Sequence, residues 1–482
     1  MNLALLSHEW LVIGLALAIL LIDLWLPSSS KRNLGYFAAF GISAILIYSF
    51  VAFGSASDQT QFAFNEMYAL DRLALFFKRF FLLATAIVLL MSVEYAELIE
   101  AGIAEYYALI LFALTGMLFA SSANHFALLF VSLELITVTF YVLTSFQRAR
   151  VTSLEAGVKY LVIGALSTGF TVFGIALVYG ISRKLDFAGL AAVAGQFSDN
   201  RIFLFGLLLV MVGLGFKIAA FPFQIWAPDV YQGAPSPTTA FLAVGSKAAG
   251  FVLLLRVLFI AVPAITAQWS KLLIVISGIT ILYGNLCAIP QRNLKRLFGY
   301  SSIAHAGYML LGIAALSAAG QSAVLYYLSG YLFTVLGAFT VICLVMTQVE
   351  GEDITALAGL NQRAPLLALT MTLAMVSLAG IPPLAGFFGK FLLFKAAIAS
   401  GASEPAYYWL VAIAVVGVII SLYYYFGVVR SIFWGKESQS APIRTSVPIR
   451  VCLYGCMIGM LALGLFPNWL LSAASNAVKV LR

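Results

Sequence analysis

The stretch Gly213-Leu-Gly-Phe-Lys-Ile-Ala-Ala-Phe-Pro222 places a lysine and a proline inside an apolar segment of the chain. A lysine at the centre of a bilayer costs roughly 2.5–3.5 kcal/mol on insertion scales, and a proline removes one backbone hydrogen bond from a helix. Membrane proteins tolerate an interrupted helix mainly beside a polar cavity. The stretch therefore predicts a membrane-spanning helix that is broken near Pro222 and carries a functional charge at Lys217.

The composition of the whole chain indicates an integral membrane protein. Hydrophobic residues make up 63% of the 482 residues and charged residues 10%, whereas soluble domains carry about 25% charged residues. Apolar segments of about 20 residues cross a bilayer as helices, because helices satisfy their own backbone hydrogen bonds. The predicted fold class is all-α, with about fourteen spans. They lie near 8–26, 34–53, 72–91, 103–121, 124–146, 155–180, 201–222, 238–261, 269–290, 294–317, 321–348, 365–398, 405–433 and 448–470.

Five lysines lie deep in these predicted spans, at Lys159, Lys217, Lys247, Lys390 and Lys395. Five charged and unpaired lysines would cost more than most folds can spare. They must therefore face a polar interior, find partners, or be deprotonated part of the time. A proton carrier needs the same properties.

The chain also repeats itself weakly. Six residues of the segment 158–173 recur 166 residues later in the segment 324–339. Span 12 resembles span 7, since Pro382-Pro383 precedes its two lysines. Paired, interrupted helices indicate a transporter with repeated halves and a site near the membrane midplane. We predict flanking helices in 1–100, five-helix repeats in 101–265 (helices 4–8) and 266–435 (helices 9–13), and a last helix in 436–482.

Glu134, Lys247 and His305 are further candidates for a buried ion pathway. Glu134 is surrounded by apolar residues, and an ionisable residue inside a membrane is functional by default; a structural carboxylate that ties two helices together is the alternative. Small residues around Lys247 leave room for water or a close neighbour. His305 lies in a polar strip and is the only histidine well inside a span, although a lone histidine is often an ordinary core residue.

For the other ionisable residues, a structural role is either predicted or an alternative to a place in the ion pathway. Lys159 follows Glu155 by four positions and could form a simple pair on one helix face. Lys390, next to Gly389, is nearer to the prolines than Lys395 is and is expected to neutralise freed carbonyl groups, which leaves Lys395 as the counterpart of Lys217. Asp229 is predicted to be a turn or helix-cap residue. Four residues at the start of span 3 are expected to snorkel to the interface, namely Asp71, Arg72, Lys78 and Arg79.

The residue inventory indicates proton chemistry. Lysine cannot bind Na⁺, and only one carboxylate lies deep in the repeated core. An apolar environment disfavours a charged lysine and a nearby carboxylate favours it, so a movement of Glu134 relative to Lys217 would load or release a proton. The sequence has no nucleotide loop, haem ligand set or iron–sulfur cysteine array. No soluble stretch is long enough for a nucleic-acid-binding domain, despite the net charge of +8.

The distribution of lysine and arginine predicts the orientation. Twelve lie in loops that follow odd-numbered spans and six in the other loops and the termini, so the odd loops are expected in the cytoplasm and both termini in the periplasm. The first set is Lys31, Arg32, Arg148, Arg150, Arg292, Lys295, Arg296, Arg363, Arg430, Lys436, Arg444 and Arg450. The second set is Arg183, Lys184, Arg201, Lys271, Lys479 and Arg482.

Three stretches resemble the antiporter-like membrane subunits of bacterial NADH–quinone oxidoreductase, respiratory complex I. The first is the opening stretch with its continuation Phe223-Gln-Ile-Trp-Ala-Pro-Asp-Val-Tyr-Gln-Gly-Ala-Pro235. Its residues resemble those of subunit N rather than those of subunit M or L. The second is Asn293-Leu-Lys-Arg-Leu-Phe-Gly-Tyr-Ser-Ser-Ile-Ala-His-Ala-Gly-Tyr308. The third is Ser377-Leu-Ala-Gly-Ile-Pro-Pro-Leu-Ala-Gly-Phe-Phe-Gly-Lys-Phe391.

The resemblance implies a proton-translocating subunit of the bacterial inner membrane, with two inverted five-helix repeats and broken helices 7 and 12. It implies that FMN, iron–sulfur clusters and quinone belong to other subunits, with no cofactor in this chain. The implied partners are subunits M, K and J, and lipids. The site residues that it implies are the pair Glu134 and Lys217, the connecting Lys247, the distal Lys395, the helix 6 Lys159 and the linking His305.

Two other functions stay open at this stage. One is a subunit of a multi-subunit cation/proton antiporter of the Na⁺/H⁺ type, a related class of transporter. The other is a structural scaffold that retains the polar axis without using it. The resemblance of the three stretches to subunit N favours the proton-translocating subunit.

Overall fold

The structure is a computed structural model that describes residues 2–53, 59–99, 102–349, 351–435 and 442–481. Lys436 and Arg482, which contribute to the charge count above, lie outside these ranges, as do the predicted boundaries at 100 and 436. The α-helices of the described residues are α1 (Ser7–Asp23), α2 (Leu34–Ala52), α3 (Arg72–Tyr95), α4 (Ile103–Ser121), α5 (Phe126–Thr144), α6 (Val151–Ser182), α7 (Phe187–Ala194), α8 (Arg201–Ile218), α9 (Trp226–Gly233), α10 (Ser236–Phe241), α11 (Lys247–Arg256), α12 (Ser270–Ala288), α13 (Leu294–Ala314), α14 (Ala318–Gln348), α15 (Leu360–Arg363), α16 (Pro365–Ala379), α17 (Ala385–Ser400), α18 (Ala406–Trp434), α19 (Val447–Leu465) and α20 (Pro467–Ala477).

The helices confirm the all-α membrane class. Thirteen spans among the described residues are long and apolar enough to cross a membrane. At the predicted span 365–398, the chain forms the shorter apolar helix α16 followed, after the break, by α17. The strands of the described residues are β1 (Gln61–Ala63) and β2 (Tyr68–Leu70), which form an antiparallel hairpin before α3.

Both predicted breaks are present. The first separates α8 from α9: α8 ends where Ala219 adopts a left-handed conformation with φ of 58°, three residues before Pro222. The second separates α16 from α17, and here Gly380 has φ of 86°. A proline cannot donate a backbone hydrogen bond, so each helix stops and leaves carbonyl groups unpaired. The Phe216 oxygen, close to the first break, accepts from the Ala219 N–H and also from the Trp226 indole at 3.0 Å.

The packing around the two breaks corresponds. The long helix α6 packs against both α8 and α9, and the long helix α14 packs against both α16 and α17. The segments 158–173 and 324–339, which carry the sequence repeat, lie in these two long helices. This correspondence agrees with two repeats, while their exact boundaries stay a prediction.

The centre of the molecule is formed by α13, α14 and the span Ser236–Ala261, whose apolar windows are about nine-tenths buried. That span contains two wide π-helical turns, Leu242–Ser246 and Val257–Ala261, on either side of α11. Wide turns of this kind are frequent at functional sites. Here the first turn ends directly before Lys247, so the most buried span also carries a buried charge.

Candidate functional site

Glu134 and Lys217 lie at one end of a row of polar side chains. Glu134 is on α5, partly buried, and its Oε1 accepts a 2.7 Å hydrogen bond from the Thr168 hydroxyl of α6. Lys217, in the last turn of α8, lines the same small cavity. The cavity offers about 10 Å³ to the centre of a water-sized sphere, which is roughly the space that one water molecule needs. The two side chains therefore share a space that fits a single water.

Lys217 is held by neutral groups. Its Nζ donates a short hydrogen bond to Thr137 Oγ1, about one turn after Glu134 on α5. The rings of Tyr160 and Phe216 lie 5.9 and 5.5 Å from Nζ. Because Lys217 is in the last turn of α8, the helix dipole favours its charged form. The break near Pro222 thus creates both the site and part of its electrostatics.

Lys247 is the centre of a second group of polar side chains. It is 1% exposed, and its Nζ donates to the Ser302 carbonyl oxygen at 2.6 Å and to Ser302 Oγ at 2.5 Å. The hydroxyls of Tyr231 and Tyr331 also lie 3.0 Å from Ser302 Oγ. One turn beyond Lys247, Gly250 packs against Lys217, since a Cβ built there would lie 3.1 Å from Lys217 Cβ. Lys217 of α8 thus contacts α11 at Gly250, about one helix turn after Lys247.

His305 continues the row on the far side of Lys247. It is buried on α13, and its two ring nitrogens lie 2.5 Å from the Tyr327 hydroxyl and 2.9 Å from the Tyr425 hydroxyl. The Tyr425 hydroxyl also lies 2.5 Å from Ser301 Oγ. Each of these groups can both donate and accept a hydrogen bond. The structure therefore places the predicted residue within a chain of exchangeable hydroxyls.

Lys390, and not Lys395, ends the row. Lys390 is 4% exposed, its Nζ donates to the Leu378 and Ala379 oxygens at 2.7 and 3.1 Å, and it lies 5.0 Å from the Tyr308 ring. Lys395 is exposed on the outer face of α17. The expected position of Lys395 on the buried axis is therefore wrong. The expected contact of Lys390 with carbonyl groups freed by the break is present.

Lys159 belongs to an ionic cluster at the surface. Its Nζ lies 2.7 Å from Glu155 and 2.7 Å from Asp229 Oδ2. Asp229 Oδ1 in turn accepts a short hydrogen bond from Arg296 of α13. Asp229 was expected in a turn or at a helix cap, but it lies in the first turn of α9 and joins α6 to α13. The Lys159 side chain is 42% exposed, which sets it apart from the three buried lysines.

The Glu352 carboxylate joins the segments that lead into α6 and α13, and this group of contacts is called the loop clamp below. The Glu352 carboxylate lies 2.8 Å from Arg150, 3.1 Å from Lys295 Nζ and 3.2 Å from the Asn293 amide. Burial alone would raise the pKa of the Glu352 carboxyl, but Lys295, Arg150 and the hydrogen bond from Asn293 hold it below its ordinary value. Lys295 was counted as a loop residue, whereas it lies fully buried in the first turn of α13.

The N-terminal helices contain buried ion pairs that the sequence analysis missed. Lys78 forms a short hydrogen bond with Glu9 and a 2.7 Å hydrogen bond with the Tyr68 hydroxyl, and the side chains of Glu9 and Lys78 are fully buried. Asp71 caps α3 and pairs with the buried Arg256 at 2.9 Å. Asp71 and Lys78 therefore do not snorkel, and they fasten α1 and α11 to α3.

The sequence is similar to a known family and to named proteins of other bacteria. The family described as "NADH:quinone oxidoreductase/Mrp antiporter, TM" matches residues 123–421, more than half of the chain. A protein of Trichlorobacter lovleyi named NADH-quinone oxidoreductase subunit N is 40% identical over 100% of this chain and 98% of its own length. One of the same name from Desulforamulus reducens is 38% identical, over 99% and 98%.

Solved structures give the same result. A chain of respiratory complex I from Thermus thermophilus with bound aureothin has a TM-score of 0.80 and 33% identity, over 97% of this chain and 99% of that one. A chain of the Mrp complex from Dietzia sp. has a TM-score of 0.84 at 21% identity, over 100% and 98%. At that identity the second likeness shows the fold alone. It does not favour a cation/proton antiporter over the first reading.

Proposed function

Because the chain belongs to the subunit N family of NADH-quinone oxidoreductase, we propose that it moves protons along the buried row between Glu134 and Lys390. It is an antiporter-like, multi-pass membrane subunit of that enzyme, and electron transfer from NADH to quinone in other subunits drives the protons. FMN, iron–sulfur clusters and quinone are assigned to those subunits, with none in this chain.

One observation carries the proposal: Lys217, Lys247 and Lys390 are all buried, and all three donate to neutral oxygens. Among the described residues, no carboxylate oxygen lies within 4 Å of any of the three Nζ atoms. A lysine that is buried without a counter-ion gives up its proton more easily than a lysine in water. Lysines with purely structural roles are normally paired instead, as Lys78 is with Glu9.

Glu134 and Lys217 form the controlling pair. When Lys217 approaches the Glu134 carboxylate, the charged form of the lysine is stabilised, and the cavity between them can hold the connecting water. When the two separate, Lys217 becomes a proton donor toward Lys247. Like charges repel across a poorly screened interior, so a proton on one lysine favours release from the next.

The middle and far end of the row follow from the hydrogen bonds. Lys247 exchanges with Ser302, and the Tyr308 ring lies between His305 and Lys390, with centroid distances of 6.0 Å to the imidazole ring and 5.0 Å to the lysine Nζ. Lys390 therefore takes the role first predicted for Lys395. Lys159 is a positioning residue, since it holds Asp229 and with it the half-helix α9.

The outer faces support neighbours of matching polarity. Glu134 and Lys159 are only partly buried and Lys395 is exposed, and all three lie on apolar helices. Lipid chains cannot solvate these groups. We assign the outer face with Glu134 and Lys159 and the outer face with Lys395 to contacts with other membrane subunits of the enzyme. Subunit M lies on one of these faces and the small subunits K and J on the other. The assembly lies in the bacterial inner membrane, with both termini in the periplasm.

The test uses the assembled enzyme in membrane vesicles. Lys217→Ala and Glu134→Ala are each expected to lower NADH-driven proton pumping by about tenfold or more, because each removes a proton-exchanging group. Lys271→Ala, at an exposed helix end, is the matched control and should pump normally. Near-normal pumping by both core variants, in enzyme shown to contain this subunit, would reject the proposed axis.

A further inference from the structure

A groove on the outside of the helix bundle plays no part in the proton row. It lies between α2, α3, α14 and α20 and has a volume of about 480 Å³, within the range of about 300–1,000 Å³ that is typical of ligand pockets. Along α3 the groove extends from Arg72 to Leu83, roughly 17 Å at 1.5 Å per residue. That length is close to half of the roughly 30 Å hydrocarbon core of a bilayer. The groove therefore matches one leaflet in length.

The walls of the groove are apolar. They include Phe50, Phe76, Phe80, Leu332, Phe333 and Leu470. At its lip lies Trp469, which is 77% exposed and belongs to the short helix α20. Tryptophan is enriched where lipid headgroups meet the acyl chains. Trp469 therefore indicates that the groove reaches the headgroup region.

Arg79 supplies an uncompensated positive charge in the groove. Its guanidinium donates to Ser49 Oγ and to the Ser49 and Phe53 carbonyl oxygens at 2.9–3.2 Å, and it lies over the Phe50 ring at 4.2 Å. All these partners are neutral. In the part of the chain that the structure describes, no carboxylate oxygen lies within 4 Å of Arg79. A cation without a counter-ion inside a span favours an anionic ligand.

We propose that this groove binds one anionic phospholipid, with its phosphate at Arg79 and an acyl chain along α3. The groove runs about 17 Å along α3 and is lined mainly by apolar side chains. An extended acyl chain fits such a channel. The lipid would fasten the N-terminal helices to α14 and to the C-terminal helices, which enclose the groove together.

The experiment uses the complete enzyme in nanodiscs that contain a photoactivatable phosphatidylglycerol. Cross-linking to peptides of α3 and α20 is mapped by mass spectrometry. For Arg79→Gln, cross-linking there should fall about fivefold or more, while Arg201→Gln, an exposed arginine on another helix, should match the unaltered protein. A zwitterionic phosphatidylcholine probe should label these peptides weakly in all three.

A second variant separates lipid loss from misfolding of α2, which Arg79 also contacts. Ala473→Trp fills the groove from its α20 wall and leaves Arg79 in place, so it should also abolish labelling in an assembled enzyme. Equal labelling by the anionic and zwitterionic probes would overturn the proposal. So would unchanged labelling in both groove variants, or cross-links from these peptides to a neighbouring subunit instead of to lipid.

Discussion

Lys390 Nζ lies 2.7 Å from the Leu378 carbonyl oxygen, across the break that separates α16 from α17. The contact ties a buried cation to the end of a helix, where the dipole and the unpaired carbonyls both favour a positive charge. The same lysine is the last buried cation of the proposed row. In the proposed mechanism, the geometry of the break and the transport of protons both depend on this one side chain.

Lys390→Ala is therefore expected to reduce proton pumping by about tenfold or more. Lys395→Ala, five residues further on, should leave pumping within twofold of normal, because Lys395 lies on the outer face. Both rates are measured in membrane vesicles and normalised to the amount of assembled enzyme. The opposite order of the two variants would restore Lys395 as the distal carrier. Lys390→Arg, which keeps the charge at the carbonyls, separates stabilisation of the break from proton exchange.

The buried pair of Glu9 and Lys78 should be sensitive to the loss of one partner. Removal of one member of a buried ion pair typically costs about 3–5 kcal/mol, whereas replacement of both by apolar residues of similar size is often neutral. Glu9→Leu alone should therefore lower the thermal midpoint of the purified enzyme clearly. The double variant with Lys78→Met should recover most of the loss. If the double variant is no more stable than the single one, the pair has a role other than mutual neutralisation.

Glu352 should make the loop clamp sensitive to pH. The pKa of its carboxyl lies below the ordinary value, so the clamp has its full strength above that ordinary value and loses strength as the pH falls through the lower, folded-state value. Hydrogen exchange of the Leu294 and Ile354 amides, which bond across the clamp, reports on it. Protection, corrected for the intrinsic rate, should be flat from about pH 8 to 5 and fall below about pH 4.

The matched variants for this prediction are Glu352→Gln and Glu105→Gln. Glu352→Gln should show weakened protection at every pH, with no further acid transition. Glu105 is exposed at the start of α4, so its replacement should leave the profile unchanged. An acid transition that persists in Glu352→Gln would assign the pH dependence to another group.

Gly464 should tolerate no side chain. A Cβ at this position would lie 1.8 Å from the Pro383 carbonyl oxygen, within the break of the second interrupted helix. Because a backbone atom cannot move aside cheaply, Gly464→Ala should destabilise the fold by about 1–3 kcal/mol. Gly455, on the same helix α19, has open space around it, so Gly455→Ala should change stability by less than about 0.5 kcal/mol. Thermal midpoints of the two variants give the comparison.

The sequence was sufficient to predict the membrane class, both breaks and the burial of Lys217, Lys247 and His305. These features depend on local composition and on proline, which act over a few residues. The choice between Lys390 and Lys395 depends on something else. Five residues on a helix correspond to about 140° of rotation, so the two lysines cannot face the same side. The sequence around them is apolar in both directions and does not reveal the inner face.

Asp229 and Lys78 were misjudged for different reasons. Asp229 was expected in a turn or at a helix cap, whereas Pro228 before it already occupies the third position of α9. In the first turn a backbone N–H needs no helical partner, so proline is tolerated there. Lys78 finds Glu9, which is 69 residues away, and local sequence gives no sign of such a partner. The available signal was Glu9 itself, a carboxylate near the start of an apolar span.

The contacts of Asp229 have a consequence for the timing of events in the two halves. A single carboxylate faces Lys159 of α6 on one oxygen and Arg296 of α13 on the other. Because the two cations contact different oxygens, a movement of α9 toward one of them would lengthen its contact with the other. The half-helix α9 therefore couples α6 of the first predicted repeat to α13 of the second. A change in the charge of Lys159 would therefore alter the interaction of Asp229 with Arg296, and the reverse also holds.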